Sequence, residues 1–340
     1  MSEASPAFDP DAKERALQDE ASQWDTSNPV AAEPGDIPII DVAEFFQTGS
    51  RDALDTAAQQ LRVASEDLGF YQLVGHGVSP SHLNGILAEA KRLHALPDET
   101  KATIRMDRPD WPTKGVGHLP VGERKLPRRA QGNLNEAFLI KSDRDIAPED
   151  NQWLPEPLLP GFRAAVLSYS QAIEAVALKL LPVYAAALEL DADFFTEAFT
   201  HPFWRLRLSH YPPAPGAEPG GAYGIAPHVD TTFFTLLLQD SGGLHIFSHR
   251  RDCWIEAPVI SGAFVVNSGE LLRQWSNDRF LSTRHFANNA ATADRYSVPF
   301  FFNANADYPM ECLPSCHGPG NPAKYPPISY RESQAVAQGE

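Results

Sequence analysis

The stretch APHVDTTFF places His228 and Asp230 two residues apart. In a β-strand, side chains two residues apart project from the same face of the sheet, so this histidine and this aspartate could bind one metal ion. The pair is weak evidence by itself, because 11 histidines and 44 acidic residues in a chain of 340 give roughly 1.4 matches to His-x-Asp or His-x-Glu by chance. A metal site therefore needs a further ligand elsewhere in the chain.

Suitable residues follow in the stretch RHFANNAATADRYSVPFF, where His285 lies 57 residues after His228. Two imidazoles and one carboxylate form the facial site of non-haem Fe(II) oxygenases, which leaves metal positions open for a chelating co-substrate and O₂. Arg295 and Ser297 share one face of the next predicted strand. A guanidinium binds two carboxylate oxygens with its planar fork, and a serine hydroxyl adds another hydrogen bond, so this pair predicts a receptor for a distal carboxylate.

The composition is that of a globular protein, and its charge restricts the partners. Lys and Arg total 28 and Asp and Glu total 44, a net charge of −16 that disfavours nucleic acid and anionic membrane surfaces. No apolar run approaches the roughly 18 residues of a membrane helix, and the N-terminus resembles no signal or transit peptide. The three cysteines form no disulfide framework, and CLPSCH has no second ligand pair for zinc. We expect a cytoplasmic protein with a small-molecule substrate.

The first half of the chain predicts helices around a short β segment. Residues 1–35 carry eight acidic and two basic residues and few large apolar ones, which predicts a loosely attached arm. The folded part begins at IPIIDV, and helical spacing recurs in DALDTAAQQLRVASEDLGF, in the segment opened by Ser79 and Pro80, and in GFRAAVLSYSQAIEAVALKLLPVYAAALEL. Between Thr103 and Asp150 no period is sustained, which predicts a long irregular segment that closes over bound substrate.

After residue 200 the pattern changes to short β-rich runs, among them WRLRLSHY, TTFFTLLLQ, LHIFS and GAFVVNS, separated by turn residues. Such spacing indicates a β-sandwich or barrel. No GxGxxG or Walker sequence is present, so folds that bind nucleotide cofactors lose support.

The blocks IPIIDV, EDLGFYQLVGHGV, HVDTTFFTLLLQDSGGLHI, GAFVVNSGELLRQWSND and RYSVPFFFN resemble, in order, those of the isopenicillin N synthase-like 2-oxoglutarate/Fe(II) oxygenases. The resemblance implies a mainly β fold with flanking helices, in which a double-stranded β-helix, or jelly roll, follows an N-terminal α/β segment. It implies one oxygenase domain over 36–340, with a helical region and substrate loop at 36–200, the jelly roll at 201–310 and a tail at 311–340.

The same resemblance implies roles for particular residues. His228, Asp230 and His285 would bind Fe(II), while Arg295 and Ser297 would bind the C5 carboxylate of 2-oxoglutarate, and O₂ would be the oxidant. Tyr211 matches a tyrosine that also contacts the co-substrate in the family.

This chain departs from the family pattern at a few positions. It has Ser209 and His210 where members often have Asn-Tyr, Val229 in place of a small polar residue, and Glu270 in place of a common Asp. Strand alternation directs the His210 side chain to the sheet face opposite Tyr211. None of these departures removes a predicted ligand.

The resemblance predicts that the protein hydroxylates, desaturates or cyclises a small organic molecule. Two alternatives remain: an iron-dependent oxidase of the same fold that does not use 2-oxoglutarate, and a non-catalytic jelly-roll binding protein.

Arg207 alternates in phase with Tyr211, which makes it the candidate substrate contact. Phe233, Phe300 and Phe302 are expected in the core. Arg124, Lys125, Arg128 and Arg129 form a basic group that is either a solvated run or a clamp for an acidic substrate.

Overall fold

Two β-sheets pack against each other in the computed structural model, which describes residues 26, 28–106, 108–123, 132–143, 150–214 and 222–338. The predicted basic group of Arg124, Lys125, Arg128 and Arg129 lies outside these residues. Side chains that alternate along the strands fill the space between the sheets, as expected for a double-stranded β-helix. The predicted fold class is confirmed.

The larger sheet has eight strands in the order β2-β3-β11-β8-β13-β6-β5-β4. It is antiparallel except for the parallel pair of β2 with β3. The strands are β2 (Ile39–Asp41), β3 (Phe70–Val74), β4 (Gly117–Leu119), β5 (Glu136–Lys141), β6 (Phe203–Tyr211), β8 (Phe234–Gln239), β11 (Phe264–Ser268) and β13 (Arg295–Asn303).

The smaller sheet has five strands in the order β1-β10-β9-β12-β7. The strands are β1 (Val30–Ala31), β7 (Ile225–His228), β9 (Leu244–Ser248), β10 (Cys253–Glu256) and β12 (His285–Ala287). Because β7 lies at the edge beside β12, the segments that carry the two predicted histidine ligands are direct neighbours.

Seven helices occur in the described residues, and three of them, α2, α3 and α5, pack against strands of the larger sheet. The helices are α1 (Ala43–Thr48), α2 (Arg51–Asp67), α3 (Pro80–His94), α4 (Asp98–Ala102), α5 (Phe162–Ala187), α6 (Glu270–Trp275) and α7 (Tyr330–Gln338). The predicted start of α3 is confirmed, because the Ser79 hydroxyl accepts a hydrogen bond from the His82 amide and Pro80 occupies the first helical position. By length and composition alone α5 could cross a membrane, but in the fold its apolar face packs against α2 and α3.

Two expectations from the sequence were wrong in part. The segment from Thr103 to Asp150 contains β4 and β5, although its residues 107, 124–131 and 144–149 lie outside the described structure. The strand β5 is buried along most of its length and carries Glu136 on a buried face, so it shows no alternation of apolar and polar residues. In the predicted loose arm, Val30 and Ala31 instead form β1, which pairs with β10.

Candidate active site

His228 and His285 face each other across the pair of β7 and β12. The antiparallel register places them directly opposite, and their ring centroids lie 4.4 Å apart. Asp230 follows β7 by two residues, and its Oδ1 lies 3.6 Å from His228 Nε2 and 3.8 Å from His285 Nε2. The structure therefore brings together the three side chains that the sequence selected.

Hydrogen bonds to the backbone orient both imidazoles. His228 Nδ1 donates to the Ala226 carbonyl oxygen at 2.9 Å, and His285 Nδ1 donates to the Thr283 carbonyl oxygen at 3.1 Å. A carbonyl oxygen only accepts, so each Nδ1 carries a proton, and Nε2 is the ring atom that each histidine directs into the site. One ligand atom from each of the three side chains lies within 4.8 Å of the others, an arrangement suited to one metal ion.

The Asp230 carboxylate is held by two donors that the sequence analysis did not select. Its Oδ2 accepts hydrogen bonds from Thr235 Oγ1 at 2.7 Å and from Asn267 Nδ2 at 2.9 Å, which leaves Oδ1 directed toward the histidines. Burial raises the pKa of Asp230, but the adjacent His285 and His228 and these two hydrogen bonds outweigh it and hold the pKa below 3.8. The carboxylate is thus ionised and oriented to bind a cation.

Arg295 lies on β13, deep between the sheets, and is 2% exposed. Its Nε donates to the Gly242 carbonyl oxygen at 2.7 Å and its Nη2 donates to Gln239 Oε1 at 3.1 Å. The buried Nη1 has no hydrogen-bond partner among the residues that the structure describes. A buried donor on a charged group is costly to leave unpaired, so this atom fits an anionic ligand.

Tyr211 and Ser297 stand beside this guanidinium. The register pairs Arg295 with Tyr211, and the Arg295 Cζ lies 4.5 Å from the centre of the Tyr211 ring. The hydroxyls of Tyr211 and Ser297 are 3.4 Å apart. Burial raises the pKa of Tyr211, but the charges of Arg295 and Arg207 outweigh it and lower the pKa below 10.0. The three side chains form a positively charged, hydroxyl-lined receptor.

A cavity of about 80 Å³ between the sheets joins these two groups of residues. All seven residues selected from the sequence line it: Arg207, Tyr211, His228, Asp230, His285, Arg295 and Ser297. Apolar side chains from both sheets complete the wall, among them Phe70, Leu244, Phe286 and Phe301. The candidate metal ligands, the candidate carboxylate receptor and the candidate substrate contact therefore share one space.

Arg207 is 2% exposed and reaches the cavity from β6. When the Asn135 amide is oriented to donate to the Gly224 carbonyl oxygen, its own oxygen accepts from Arg207 Nη2 at 2.6 Å. Asp230 is the one carboxylate among the described residues that line the cavity, against two guanidinium groups. The cavity is therefore suited to ligands that carry hydrogen-bond acceptors or negative charge.

Sequence reasoning missed several residues of the site. Asn267 stands in the apolar run FVVNS, and a polar side chain in a buried strand could have signalled a special role. Phe301 lines the cavity, whereas Phe300 and Phe302 lie in the core as expected. Phe233 is fully buried in the core as well. Strand alternation identifies the odd positions of β13 as the inner ones once Arg295 and Ser297 are placed there.

Known families match most of the chain. The family described as 2OG-Fe(II) oxygenase superfamily matches residues 203–304, and the family described as non-haem dioxygenase in morphine synthesis N-terminal matches residues 37–157. The first range contains every residue selected for the site.

Curated relatives carry related names. The chain is 32% identical over 308 residues to the 2-oxoglutarate-Fe(II) type oxidoreductase hxnY of Emericella nidulans, with 87% of each chain covered. It is also 32% identical to the 2-oxoglutarate-dependent dioxygenase citB of Monascus ruber, with 82% of this chain and 87% of that protein covered.

Solved structures agree with this relationship. A full-length Neurospora crassa protein in complex with alpha-KG, which is 2-oxoglutarate, matches with a TM-score of 0.80 at 25% identity over 92% of this chain and 100% of that chain. JOX2 in complex with 2OG, Fe and JA matches with a TM-score of 0.76 at 25% identity over 94% of this chain and 91% of that chain. These findings favour the prediction of 2-oxoglutarate use over the oxidase and binding-protein alternatives. The chain belongs to the 2-oxoglutarate/Fe(II)-dependent oxygenases, oxidoreductases with a jelly-roll core that use iron, 2-oxoglutarate and O₂.

Proposed function

We propose that His228, Asp230 and His285 bind the iron of this oxygenase. The observation that carries the proposal is the orientation of the donors: both Nδ1 atoms donate to carbonyl oxygens, so both Nε2 atoms are directed toward Asp230 Oδ1. Two neutral imidazoles and one carboxylate match the donor set of non-haem iron. The residues present therefore fit the metal that the family uses.

We further propose that Arg295, Ser297 and Tyr211 hold the C5 carboxylate of 2-oxoglutarate. The unpaired Arg295 Nη1 supplies one donor, and the Ser297 and Tyr211 hydroxyls supply others. When bound, iron and 2-oxoglutarate supply the oxidising power that removes hydrogen from a C–H bond of the substrate. The apolar cavity wall excludes water from this reaction, and the buried side chains orient the two ligands without rearrangement.

Alanine substitutions test the ligand set. His228→Ala, Asp230→Ala and His285→Ala should each abolish turnover and weaken Fe(II) binding, because three protein ligands are the minimum for a facial site. Circular dichroism should show an unchanged fold. Exposed His201, which lies outside the cavity, provides the matched control His201→Ala. Full activity of one of the three variants with added iron would exclude that residue as a ligand.

We propose that the substrate is a small organic molecule with a carbonyl or carboxylate group that accepts hydrogen bonds from Arg207. Arg207 is the buried cation of the cavity that lies outside the proposed carboxylate receptor. Solved structures of the Neurospora crassa relative contain thymine or 5-formyluracil, and that of JOX2 contains JA, which supports a small organic substrate here.

A substrate screen scored by release of succinate tests this class. Small molecules with and without a carbonyl or carboxylate group should be compared, and the best substrate then measured with Arg207→Gln. Loss of a hydrogen bond to a charged group should raise KM for the substrate by roughly ten- to a hundredfold and leave KM for 2-oxoglutarate unchanged. A rise in KM for 2-oxoglutarate alone would assign Arg207 to the co-substrate instead.

A further inference from the structure

A second group of titratable side chains lies on the face of the larger sheet that points away from the cavity. Its centre is Glu136 on β5, which is 5% exposed. His118 Nε2 donates to Glu136 Oε2 at 2.7 Å, and Lys101 Nζ donates to the same oxygen at 2.9 Å. His210 Nδ1 donates to Glu136 Oε1 at 2.7 Å. The proposed chemistry uses none of these residues.

His210 is placed between two carboxylates. Its Nδ1 faces Glu136, and its Nε2 lies 2.6 Å from Asp294 Oδ1. An ionised carboxylate only accepts hydrogen bonds, so this geometry is satisfied when both ring nitrogens carry protons and the ring is a cation. Burial lowers the pKa of His210, but the hydrogen bonds to Glu136 and Asp294 outweigh burial and raise the pKa above 6.5.

The neighbouring His94 is held in the neutral form. Its Nε2 donates to the Leu208 carbonyl oxygen at 3.0 Å, which leaves the lone pair of Nδ1 facing Glu136 Oε2 at 3.3 Å. Burial lowers the pKa of His94 below 6.5 in spite of the nearby carboxylate. Within the group, the charges of Glu136 and Asp294 are thus balanced by Lys101 and the protonated His210.

A metal ion is the other occupant that such residues suggest. One ligand atom each from His94, Glu136 and His210 lies within 4.8 Å of the others. The Lys101 ammonium, however, is 2.9 Å from the same carboxylate and would repel a second cation. Both nitrogens of His210 are already directed at carboxylate oxygens. The contacts therefore favour a proton over a metal on His210.

The sheet register connects this group to the co-substrate receptor. Glu136, His210 and Tyr296 are directly opposite one another on β5, β6 and β13, and the Tyr296 ring stacks on His210 at 4.7 Å. The next pair along the same two strands is Tyr211 with Arg295, on the cavity face. Side chains of adjacent residues point to opposite faces, so a shift of the backbone at His210 would displace Tyr211.

We propose that His210, held as a cation between Glu136 and Asp294, is a positioning residue that keeps Tyr211 and Arg295 in place for 2-oxoglutarate. The inference rests on the proposed co-substrate site. When His210 loses its proton, a lone pair faces a carboxylate oxygen, and the resulting repulsion loosens the contact between β6 and its neighbours. Affinity for 2-oxoglutarate then falls as the pH rises through the pKa of His210.

The direction of the effect follows from the groups around His210. The folded pKa of His210 lies above 6.5, so its favourable contacts are complete below that pH and are lost as the pH rises. Burial lowers the pKa of Lys101, but the contacts with Glu136 and Asp98 outweigh burial and raise the pKa above 10.5. Burial raises the pKa of Tyr296 to about 12, so both groups keep their protons at neutral pH. Among the described residues, the titratable and charged groups that face His210 or its direct partners are Lys91, His94, Asp98, Lys101, His118, Glu136, Asp240, Asp294 and Tyr296.

Two measurements on the full chain test the proposal. The first is an NMR titration of the His210 ring, which should give a pKa above 6.5 that falls in Asp294→Asn. The second is calorimetric titration of 2-oxoglutarate in the presence of Mn²⁺, without turnover, from pH 6 to pH 9. The dissociation constant should rise at least about fivefold over this range, the lower end of typical coupling between sites.

Variants separate this mechanism from a general effect of pH. His210→Gln should make the dissociation constant of 2-oxoglutarate independent of pH. Asp294→Asn should move the rise of this constant to lower pH. The Asp294 side chain is 51% exposed, so the fold should tolerate its loss. His201→Gln, at an exposed histidine before β6, should behave like the wild type. The proposal would be overturned if the dissociation constant of the wild type did not change with pH. It would also be overturned if His210→Gln and Asp294→Asn showed the same pH dependence as the wild type.

Two further outcomes distinguish the underlying assumptions. If Arg295→Lys weakens binding of 2-oxoglutarate while the pH profile is flat, only the role of His210 fails; if Arg295→Lys has no effect, the co-substrate site itself is wrong. A second equivalent of transition metal per chain, lost in His210→Gln, would show that a metal occupies the place of the proton and would also overturn the proposal.

Discussion

At the scale of single residues, Asn267 orients the carboxylate of Asp230, a proposed iron ligand. It donates to the Asp230 oxygen that faces away from the histidines and so fixes the direction of the other oxygen. We expect Asn267→Ala to weaken Fe(II) affinity by about 10- to 100-fold, the usual effect of removing a residue that orients a ligand. Equilibrium iron titration measures this, with exposed Asn84→Ala as the control. Unchanged affinity in Asn267→Ala would contradict the orienting role.

Arg295 supports a second prediction at this scale. Arg295→Lys keeps the charge but loses the fork that presents two donors, so the C5 carboxylate would be held by fewer hydrogen bonds. KM for 2-oxoglutarate should rise by roughly ten- to over a hundredfold while iron stays bound. Succinate release at varied 2-oxoglutarate measures the effect, and Arg163→Lys at an exposed helix position is the control. An unaltered KM would place the co-substrate carboxylate elsewhere.

At the scale of elements, Glu136 joins two helices and three strands of the larger sheet through one buried carboxylate. Burial alone would raise its pKa, but hydrogen bonds from His118 and His210 outweigh burial and hold the pKa well below 4.5. Glu136 therefore contributes stability above pH 4.5 that is lost as the pH falls through its folded pKa.

We expect Glu136→Gln to lower the free energy of unfolding by about 3–5 kcal/mol at neutral pH, because Lys101 and His210 lose their buried counter-ion. Urea denaturation at pH values from 4 to 8 measures both the loss and its dependence on pH. Exposed Glu123→Gln is the matched control, since its partner Arg105 lies near the surface. The difference between wild type and Glu136→Gln should shrink in acid, and a constant difference would argue against the ionised carboxylate.

At the scale of the whole molecule, the N-terminal segment closes the edge of the smaller sheet. The strand β1 pairs with β10, and the buried Asp36 makes an ion pair with Arg250 at 3.0 Å. The two strands at the opposite side of the same sheet, β12 and β7, carry the two proposed histidine ligands. The strand β1 thus belongs to the folded part of the chain.

Deletion variants separate the two parts of this segment. Removal of residues 1–25 should leave stability and activity unchanged. Removal of residues 1–35 should lower the free energy of unfolding by about 1–2 kcal/mol, because the backbone hydrogen bonds between β1 and β10 are lost. Thermal denaturation and succinate release measure the two effects. Equal stability of both deletions would show that β1 adds nothing to the sheet.

The sequence by itself predicted the fold class and selected the candidate ligands. Two-residue spacing selected His228 with Asp230, and the same rule selected Arg295 with Ser297. His285 joined them because two imidazoles and one carboxylate are the donor set of non-haem iron and because its block resembles that of a known family. Arg207 was placed in the cavity by the same alternation. These inferences needed local geometry, the chemistry of each residue type and the resemblance of the sequence blocks to those of a known family, which implied the jelly roll.

The tertiary structure alone decided which distant residues support this pattern. Asn267 and Thr235 reach Asp230 because β11 and β8 are neighbours in the sheet, and no local spacing encodes that pairing. The group around Glu136 draws on residues from α3 to β13, and β5 itself was hidden in a segment without periodicity. Register between strands far apart in sequence arises from the burial of whole faces, so it appears only once the sheet has formed.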